Sequence, residues 1–269
     1  MTVRRRLALC ALLGLPWPAA GAPGAEPDCI PAPTRSETLE GIGPRGELRF
    51  VSGGRAVLDS LQWPEEDEGA RARLVLRVGQ EVVVVPRGLP DRWGRERVDA
   101  LTPDGTDLAG DLVEAGLAAA DPGEADALCR PSLRLVEDTA RRRRLGLWRD
   151  TPPAADDGAA LRRLAGRYAV VEGRIRHVGE RNARTYLDFV PRGADGLTVT
   201  VTKRTWRRMA ARGLSADSLH DRRVRVRGFI EIRRGPVIAA ATPEALEVLD
   251  EGAPMTHDAR GPDDSGVRR

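Results

Sequence analysis

The sequence is poor in lysine, histidine and aromatic residues, and these shortages exclude several kinds of site. Lys203 is the only lysine among 43 basic residues, and only 4% of the residues are aromatic. The three histidines, His177, His220 and His257, lack the spacing of metal ligands and have no neighbouring nucleophile. No glycine-rich phosphate loop occurs. The sequence therefore gives no sign of a histidine-based metal centre, a catalytic triad or a nucleotide-binding loop.

Long apolar segments are also lacking, apart from a short one at the N-terminus. Three arginines, Arg4 to Arg6, precede an apolar run from Leu7 to Leu15 and then the small residues 19–22. The run is too short to cross a bilayer, and this order is typical of a secretory signal peptide. We therefore predict a signal peptide at residues 1–25, export to the periplasm or the medium, and no membrane span in the mature chain.

Cysteine is scarce as well. Cys10 leaves with the signal peptide, so the mature chain keeps Cys29 and Cys129. In an oxidising compartment an even pair favours a disulfide, which we predict between these two residues. The alternative is two unrelated thiols.

Charge is divided unequally along the chain. Residues 26–157 carry a net charge of −8 and residues 158–250 a net charge of +9. Composition places a linker at 151–159 between a domain at 41–150 and a basic domain at 160–250, with a disordered tail at 251–269. A nucleic acid or another polyanion would be attracted to the second domain and repelled by the first.

Hydrophobic periodicity predicts a mainly β chain with helices, an α+β barrel architecture. In the first half we predict strands at 47–51, 55–61, 81–86 and 96–101, and helices at 65–78, 107–116 and 131–147. In the second half, strands at 168–178, 184–190 and 197–203 precede a helix at 204–212 and strands at 222–233, 236–242 and 246–249. Three strands, a helix and further strands is the order of an OB-fold. We therefore predict tandem OB-fold-like barrels.

Four segments of the first half carry a family resemblance. They are Asp91-Arg92-Trp93-Gly94-Arg95, Asp104-Gly105-Thr106-Asp107-Leu108, Leu112-Val113-Glu114-Ala115-Gly116-Leu117 and Arg144-Leu145-Gly146-Leu147-Trp148. In this order they resemble the second half of a staphylococcal-nuclease-like (thermonuclease) domain. The resemblance implies that the first barrel has five strands, and that its reaction is the calcium-dependent hydrolysis of a phosphodiester.

The resemblance also implies roles for individual residues. Arg95 matches the arginine of the family's Gly-Arg landmark, which binds phosphate and stabilises charge on its oxygens. The alternative for Arg95 is a structural role, in which it pairs with Asp91 or Glu96. Trp93 occupies an aromatic position that can pack against a base or nucleoside. Pro64-Glu65 matches the Pro-Glu at the end of the family's catalytic segment, so Glu65 is the candidate general base.

The rest of that segment departs from the family pattern. Val57 stands where the family has a second arginine, and Gln62 stands where it has a metal-binding aspartate. The family's upstream Asp-Gly-Asp motif has no counterpart. Arg55 and Asp59 share a strand face with Val57, so a rearranged site is a second interpretation. We predict no cofactor, and Ca²⁺ only if the nuclease site works.

One strand of the second half is basic on one face. Alternation places Arg223, Arg225 and Arg227 on the same side as Phe229. A basic strand that carries an aromatic side chain is typical of an OB-type nucleic-acid surface. The alternative is an arginine-rich outer face without a ligand.

These patterns leave three functional hypotheses. The first is an exported thermonuclease-like protein with lost or impaired catalysis that binds nucleic acid or another polyanion in the cell envelope. The second is an active secreted or periplasmic nuclease that uses Arg95 and Glu65. The third is a protein-interaction module whose arginine face meets an acidic partner.

Overall fold

The structure is a computed structural model, and it describes residues 29–64, 68–123, 125 and 127–249. Three predictions lie outside the described residues: the signal peptide at 1–25, the tail at 251–269, and the candidate base Glu65. In the described part of the chain, no helix combines the length and the apolar character needed to cross a membrane.

The described residues of the first half form seven strands and three α-helices. The strands are β1 (Arg35–Ile42), β2 (Leu48–Phe50), β3 (Arg55–Leu58), β4 (Leu61–Gln62), β5 (Glu81–Arg87), β6 (Glu96–Leu101) and β7 (Ala119–Ala120). The helices are α1 (Glu68–Val75), α2 (Leu108–Glu114) and α3 (Leu133–Arg142). Asp107 caps α2, because its carboxylate accepts hydrogen bonds from the amides of Ala109 and Gly110.

Five of these strands close into a barrel in the order β1-β2-β3-β6-β5. The β3–β6 pair is parallel and the other pairs are antiparallel. Along the chain, helix α1 lies between the barrel strands β3 and β5. Leu74 of this helix is buried. This arrangement confirms the predicted mainly β fold and the closed five-stranded barrel.

Two glycines of the resembling segments have a clear structural reason. The backbone at Gly116 and Gly146 has φ of 69° and 49°, which favours glycine. A Cβ atom on Gly116 would stand 2.3 Å from the carbonyl oxygen of Leu145, and one on Gly146 would stand 2.2 Å from the oxygen of Gly116. The two loops therefore cross in direct backbone contact, and Leu147 donates a 2.8 Å hydrogen bond to Gly116 across it.

The second half contains seven strands and three helices. The strands are β8 (Tyr168–Arg174), β9 (His177–Glu180), β10 (Arg184–Asp188), β11 (Thr198–Thr202), β12 (Arg223–Ile232), β13 (Pro236–Ala240) and β14 (Leu246–Val248). The helices are α4 (Gly158–Arg163), α5 (Lys203–Ala211) and α6 (Ala216–Leu219). Buried Trp206 and Met209 lie on the inner face of α5.

These strands form one sheet in the order β14-β12-β13-β11-β10-β9, and β8 pairs with β12. The β11–β13 pair is parallel, as is the corresponding pair of the first barrel. Strands β8 and β9 follow each other along the chain, yet β8 borders β12 and β9 borders β10. This pairing order supports the expected barrel topology, but a second OB-fold-like domain stays a prediction.

Two features of the structure lie at the predicted domain boundaries, which remain predictions. The first barrel includes β1 from Arg35, so it begins before residue 41. Part of the predicted linker at 151–159 belongs to the second half: Ala154 bridges to Glu172, and Ala155 is buried in its core. Composition indicated a linker because prolines and acids precede α4, yet backbone hydrogen bonds to β8 hold this segment in place.

Candidate functional site

A cleft of about 530 Å³ lies between the two halves of the molecule. Strands β3, β4 and the loop before β6 line one wall, and β8, β12 and β13 line the other. The residues that bear on its chemistry are Arg45, Asp59, Gln62, Asp91, Trp93, Arg95, Arg97, Asp121, Tyr168, Phe229 and Glu231. The cleft therefore brings together sequence-predicted residues of the first half and residues of the second.

The turn from Asp91 to Arg95 holds the predicted arginine in place. The Asp91 carboxylate accepts hydrogen bonds from the amides of Trp93 and Arg95, at 2.9 and 3.0 Å, and from Nε of Arg95 at 2.7 Å. Burial acts to raise the pKa of Asp91, but these hydrogen bonds outweigh it and lower that pKa. Gly94, with φ of 72°, closes the turn. The pairing of Arg95 with Asp91, one of the two roles that the sequence allowed for this arginine, is therefore present in the structure. Arg95 also lines the cleft.

Trp93 contacts arginine side chains. Its ring centroid lies 3.9 Å from the guanidinium carbon of Arg92 and 4.9 Å from that of Arg95, and both are cation–π distances. The backbone oxygen of Trp93 also accepts a 2.8 Å hydrogen bond from Arg55. Trp93 and Arg95 thus line one wall of the cleft, whereas the predicted Arg55 contacts the Trp93 backbone without lining it.

An acid–arginine pair lies deeper in the same wall. Asp59 is buried, accepts a 2.6 Å hydrogen bond from the hydroxyl of Ser60, and lies 3.6 Å from Arg97. Burial raises the pKa of Asp59 despite these two partners. Arg97 was not among the predicted site residues, although it follows Arg95 by two positions and lines the same cleft from β6.

The acidic residues of the cleft do not fit a calcium site. Calcium takes six to eight oxygen ligands, several of them carboxylates. Within the described ranges, no group of three acidic, histidine or cysteine side chains is placed to hold a metal ion. Asp59 is committed to Ser60 and Arg97, and Gln62 offers a neutral amide. We therefore derive no step that passes through Ca²⁺.

The opposite wall is formed by aromatic residues of the second half. The Tyr168 hydroxyl donates a 2.9 Å hydrogen bond to Asp121, and burial raises the pKa of both groups. The ring of Phe229 meets that of Tyr168 edge to face, with centroids 5.7 Å apart. Phe229 is 45% exposed, so one aromatic surface of this wall remains open to the cleft.

The predicted open arginine surface of β12 is wrong for Arg227. The side chain of Arg227 is fully buried, and its two Nη atoms donate to Glu137 of α3 at 2.8 and 3.1 Å. It also donates to the backbone oxygen of Ala120 at 2.8 Å. Burial acts to lower the pKa of Arg227, but the Glu137 charge outweighs it and raises that pKa. The face does alternate as expected, but it turns inward against the first half.

The other two arginines of that face are paired with acids. Arg225 is bonded to Glu172 and Glu247, at 2.5 and 3.0 Å, and its side chain is only 11% exposed. Arg223 is exposed and lies 2.8 Å from Glu172. Alternation gave the correct side of the strand, but it carried no information about the carboxylates on neighbouring strands.

Cys29 and Cys129 form a disulfide with their Cα atoms 5.0 Å apart. The Cys29 carbonyl also accepts a hydrogen bond from Arg87 of β5. The bond therefore ties the segment before β1 to the loop before α3.

Strands β5 and β6 and the turn from Asp91 to Arg95 lie within a region that matches a family of known proteins. Residues 61–150, about a third of the chain, match the model of the staphylococcal nuclease homologue family. The match includes Trp93 and Arg95, and it supports the thermonuclease-like prediction; the chain therefore contains a staphylococcal-nuclease-like domain. No curated protein matches the chain.

Proposed function

We propose that this protein is an exported, thermonuclease-like module with impaired catalysis, and that it binds nucleic acid through the cleft. The main support for this proposal is that Arg95 and Trp93 lie together on the cleft wall. Among the described residues, no cluster of carboxylates beside them is placed to hold a metal ion. A guanidinium group binds phosphate without metal, whereas the family's reaction needs the metal as well. Binding is therefore better supported than hydrolysis.

The expected binding site differs from the one that sequence suggested. Arg225 is paired with Glu172 of the second half and Arg227 with Glu137 of the first half, so neither guanidinium group is open to a phosphate. The cleft is lined by Arg45, Arg95 and Arg97, of which Arg95 bonds to Asp91 through Nε and Arg97 lies 3.6 Å from Asp59. Phosphate contacts give nucleic-acid affinity and make it salt-dependent, so this wall is the preferred phosphate site.

A second candidate is a working phosphodiesterase, and the Asp59–Arg97 pair favours it. Asp59 and Arg97 lie 3.6 Å apart and both line the cleft. They are the candidate substitutes for the aspartate and the second arginine of the family pattern, which Gln62 and Val57 replace in this sequence. The raised pKa of Asp59 is suited to a general acid or base. Such an enzyme would use Arg95 and Glu65 with these substitutes.

One experiment compares the two candidates. The mature protein is incubated with single-stranded DNA, with and without Ca²⁺, beside an Arg95→Ala variant and an Arg95→Ala, Glu65→Ala double variant. We expect salt-sensitive binding that weakens in both variants, and no cleavage. Calcium-dependent cleavage that disappears in the double variant would replace the proposal with the phosphodiesterase, and absence of both activities would favour a protein-interaction module.

A further inference from the structure

We propose that the cleft takes up protons on two acids, Asp59 and Asp121, and that this uptake strengthens its binding of an anion as the pH falls. The inference rests on the proposed function, whose nucleic acid is the anion, and it adds a regulation of the same site. Three features support it: the charge balance of the cleft, the position of each acid beside an arginine, and the bonds of both acids to Ser60.

The cleft has an even balance of charge when all its groups are ionised. Among the described residues, four arginines and four acids line it: Arg45, Arg95, Arg97, Arg227, Asp59, Asp91, Asp121 and Glu231. Affinity for a nucleic acid comes mainly from contacts between basic groups and its phosphates. The balanced cleft is therefore a weak anion site, and the loss of even one negative charge makes it positive.

Asp59 is the more enclosed of the two acids. Its side chain is 1% exposed and lies 3.6 Å from Nη1 of Arg97. Its Oδ2 accepts the hydrogen bond from Ser60, whereas no described group donates a hydrogen bond to its Oδ1. A buried carboxylate is costly to keep ionised when one of its oxygens lacks a donor. The geometry therefore favours the neutral acid, in agreement with the raised pKa of Asp59.

The charged groups that face Asp59 come from β5, β6 and the loop before α3. They are Arg87, Arg97, Asp99 and Arg130. Arg87 and Arg130 are bonded to other acids of the first half, whereas Arg97 is the arginine that lies against Asp59 itself. Protonation of Asp59 removes the charge that compensates Arg97. An anion in the cleft would then meet a more positive wall.

Asp121 lies at the junction of the two halves. It is partly buried, and it accepts hydrogen bonds from the Tyr168 hydroxyl at 2.9 Å and from the Gly123 amide at 2.8 Å. The charged groups around this acid and its tyrosine are Arg134 and Glu137 of α3 and Arg227 of β12, and Glu247 of β14 also bonds to Arg227. Protonation of Asp121 therefore adds one unit of positive charge to a cluster that already contains two arginines.

Ser60 connects the two acids. Its hydroxyl donates to Asp59, and its carbonyl oxygen accepts a 3.1 Å hydrogen bond from the amide of Asp121. The backbone of Ser60 has φ of 65°, a conformation that is uncommon and costly for a residue other than glycine. This turn ties the end of β3 to the end of β7, so that both acids line the same cleft.

Binding of an anion and binding of protons therefore strengthen each other, because the coupling between two sites is reciprocal. Removing one unit charge about 10 Å from a phosphate, at an effective dielectric constant of about 20, corresponds to roughly a tenfold gain in affinity. Exposed aspartates titrate near pH 3.9, so a change between about pH 8 and pH 5 reports acids whose pKa is raised. With two such acids, we expect binding about 10- to 100-fold stronger at the lower pH.

The test measures the affinity of the mature protein for a labelled oligodeoxythymidine across this pH range. Neither thymine nor the phosphodiester group changes its charge there, so a change in affinity comes from the protein. Wild type is compared with an Asp59→Asn, Asp121→Asn double variant, in which neutral amides replace both acids. We expect the double variant to bind at the higher pH about as tightly as wild type binds at the lower pH, and to lose the pH dependence.

Glu231→Gln is the matched control, since Glu231 is an exposed acid of the opposite wall. Its replacement also removes a negative charge from the cleft, so the affinity should rise while the ratio between the two pH values stays that of wild type. Equal affinity of wild type at both pH values would overturn this inference alone. So would a pH dependence that persists in the double variant, which would assign it to other groups such as His177 or His220.

Urea unfolding without a ligand tests the proton uptake separately and shows whether each variant folds. An acid whose pKa is raised on folding stabilises the protein below its unfolded pKa, and this contribution is lost as the pH rises through the folded value. The stability of wild type relative to the double variant should therefore increase as the pH falls. A constant relative stability would overturn the uptake of protons by these acids, whereas absence of binding at every pH would overturn the proposed function.

Discussion

The two halves of the molecule use arginine in opposite ways. In the first half, Arg95 is bonded through Nε to Asp91 of its own turn, and its side chain is 18% exposed beside an open cleft. In the second half, Arg227 is completely buried and donates from both Nη atoms to Glu137. The comparison shows that the burial of the side chain and the number of its bonds to carboxylates determine whether an arginine is accessible to a ligand. Residue type is the same in both cases and does not distinguish them.

The largest expected effect is on stability, from Arg227→Ala. This change leaves Glu137 buried without its principal charge partner, which typically costs about 3–5 kcal/mol. Urea unfolding followed by circular dichroism measures the loss. Arg223→Ala is the control, because an exposed ion pair contributes about 0–1 kcal/mol. A loss below about 1 kcal/mol for Arg227→Ala would show that the interface does not depend on this pair.

Removing the disulfide is expected to have the next largest effect. Cys29→Ser with Cys129→Ser opens a connection between residues 100 positions apart, and a loss of about 2–4 kcal/mol is typical. Chemical denaturation under non-reducing conditions measures it, and wild type with added dithiothreitol is the comparison. This change destabilises the first half without altering the Arg227 interface. An unchanged unfolding midpoint in both samples would contradict the expectation.

A smaller effect is expected when the whole buried pair is replaced. Arg227→Met combined with Glu137→Met removes both charges, so neither is left unpaired. Such replacements are often neutral or stabilising, although here the Ala120 backbone amide and carbonyl each lose a hydrogen-bond partner. We expect the double variant to recover at least about half of the loss seen for Arg227→Ala, as measured by the same urea titration. A double variant less stable than Arg227→Ala would contradict the assignment.

The smallest effect is expected at the cleft turn, from Asp91→Asn. Because the pKa of Asp91 is lowered in the folded protein, its stabilising effect is present above the unfolded pKa of about 3.9 and disappears as the pH falls through the folded value. The difference in unfolding free energy between wild type and variant should be at most about 1 kcal/mol. It should be constant from pH 7 to 5 and should shrink below about pH 4. A difference that grows on acidification would show that the sign is wrong.

Local patterns predicted the elements well, because each is specified by nearby residues. The β-branched run at 81–86 and the alternation at 222–233 became β5 and β12. Strand β1 was missed, since Arg35–Ile42 mixes charged and polar residues and only Leu39 and Ile42 are buried in it. Its pairing with β2 and β5 holds it in the barrel, and such distant pairing leaves little trace in a local sequence pattern.

The candidate site was only partly predictable for the same reason. Arg95 and Trp93 could be found because their turn is encoded within five residues, from Asp91 to Arg95. The opposite wall depends on Tyr168, Asp121 and Phe229, which are far apart in the chain and meet only when the two halves pack together.

The sequence by itself determined the positions of most strands and helices, the arginine turn of the first half and the departures from the family's catalytic pattern at Val57 and Gln62. Only the tertiary structure decided which arginines are buried against carboxylates. Arg227 and Glu137 are 90 positions apart, and their contact is created when the halves pack together and exclude water. Because both charges are buried, leaving either of them unpaired would be costly in free energy. Strand β12, which the sequence suggested as a binding surface, is therefore part of the interface between the halves.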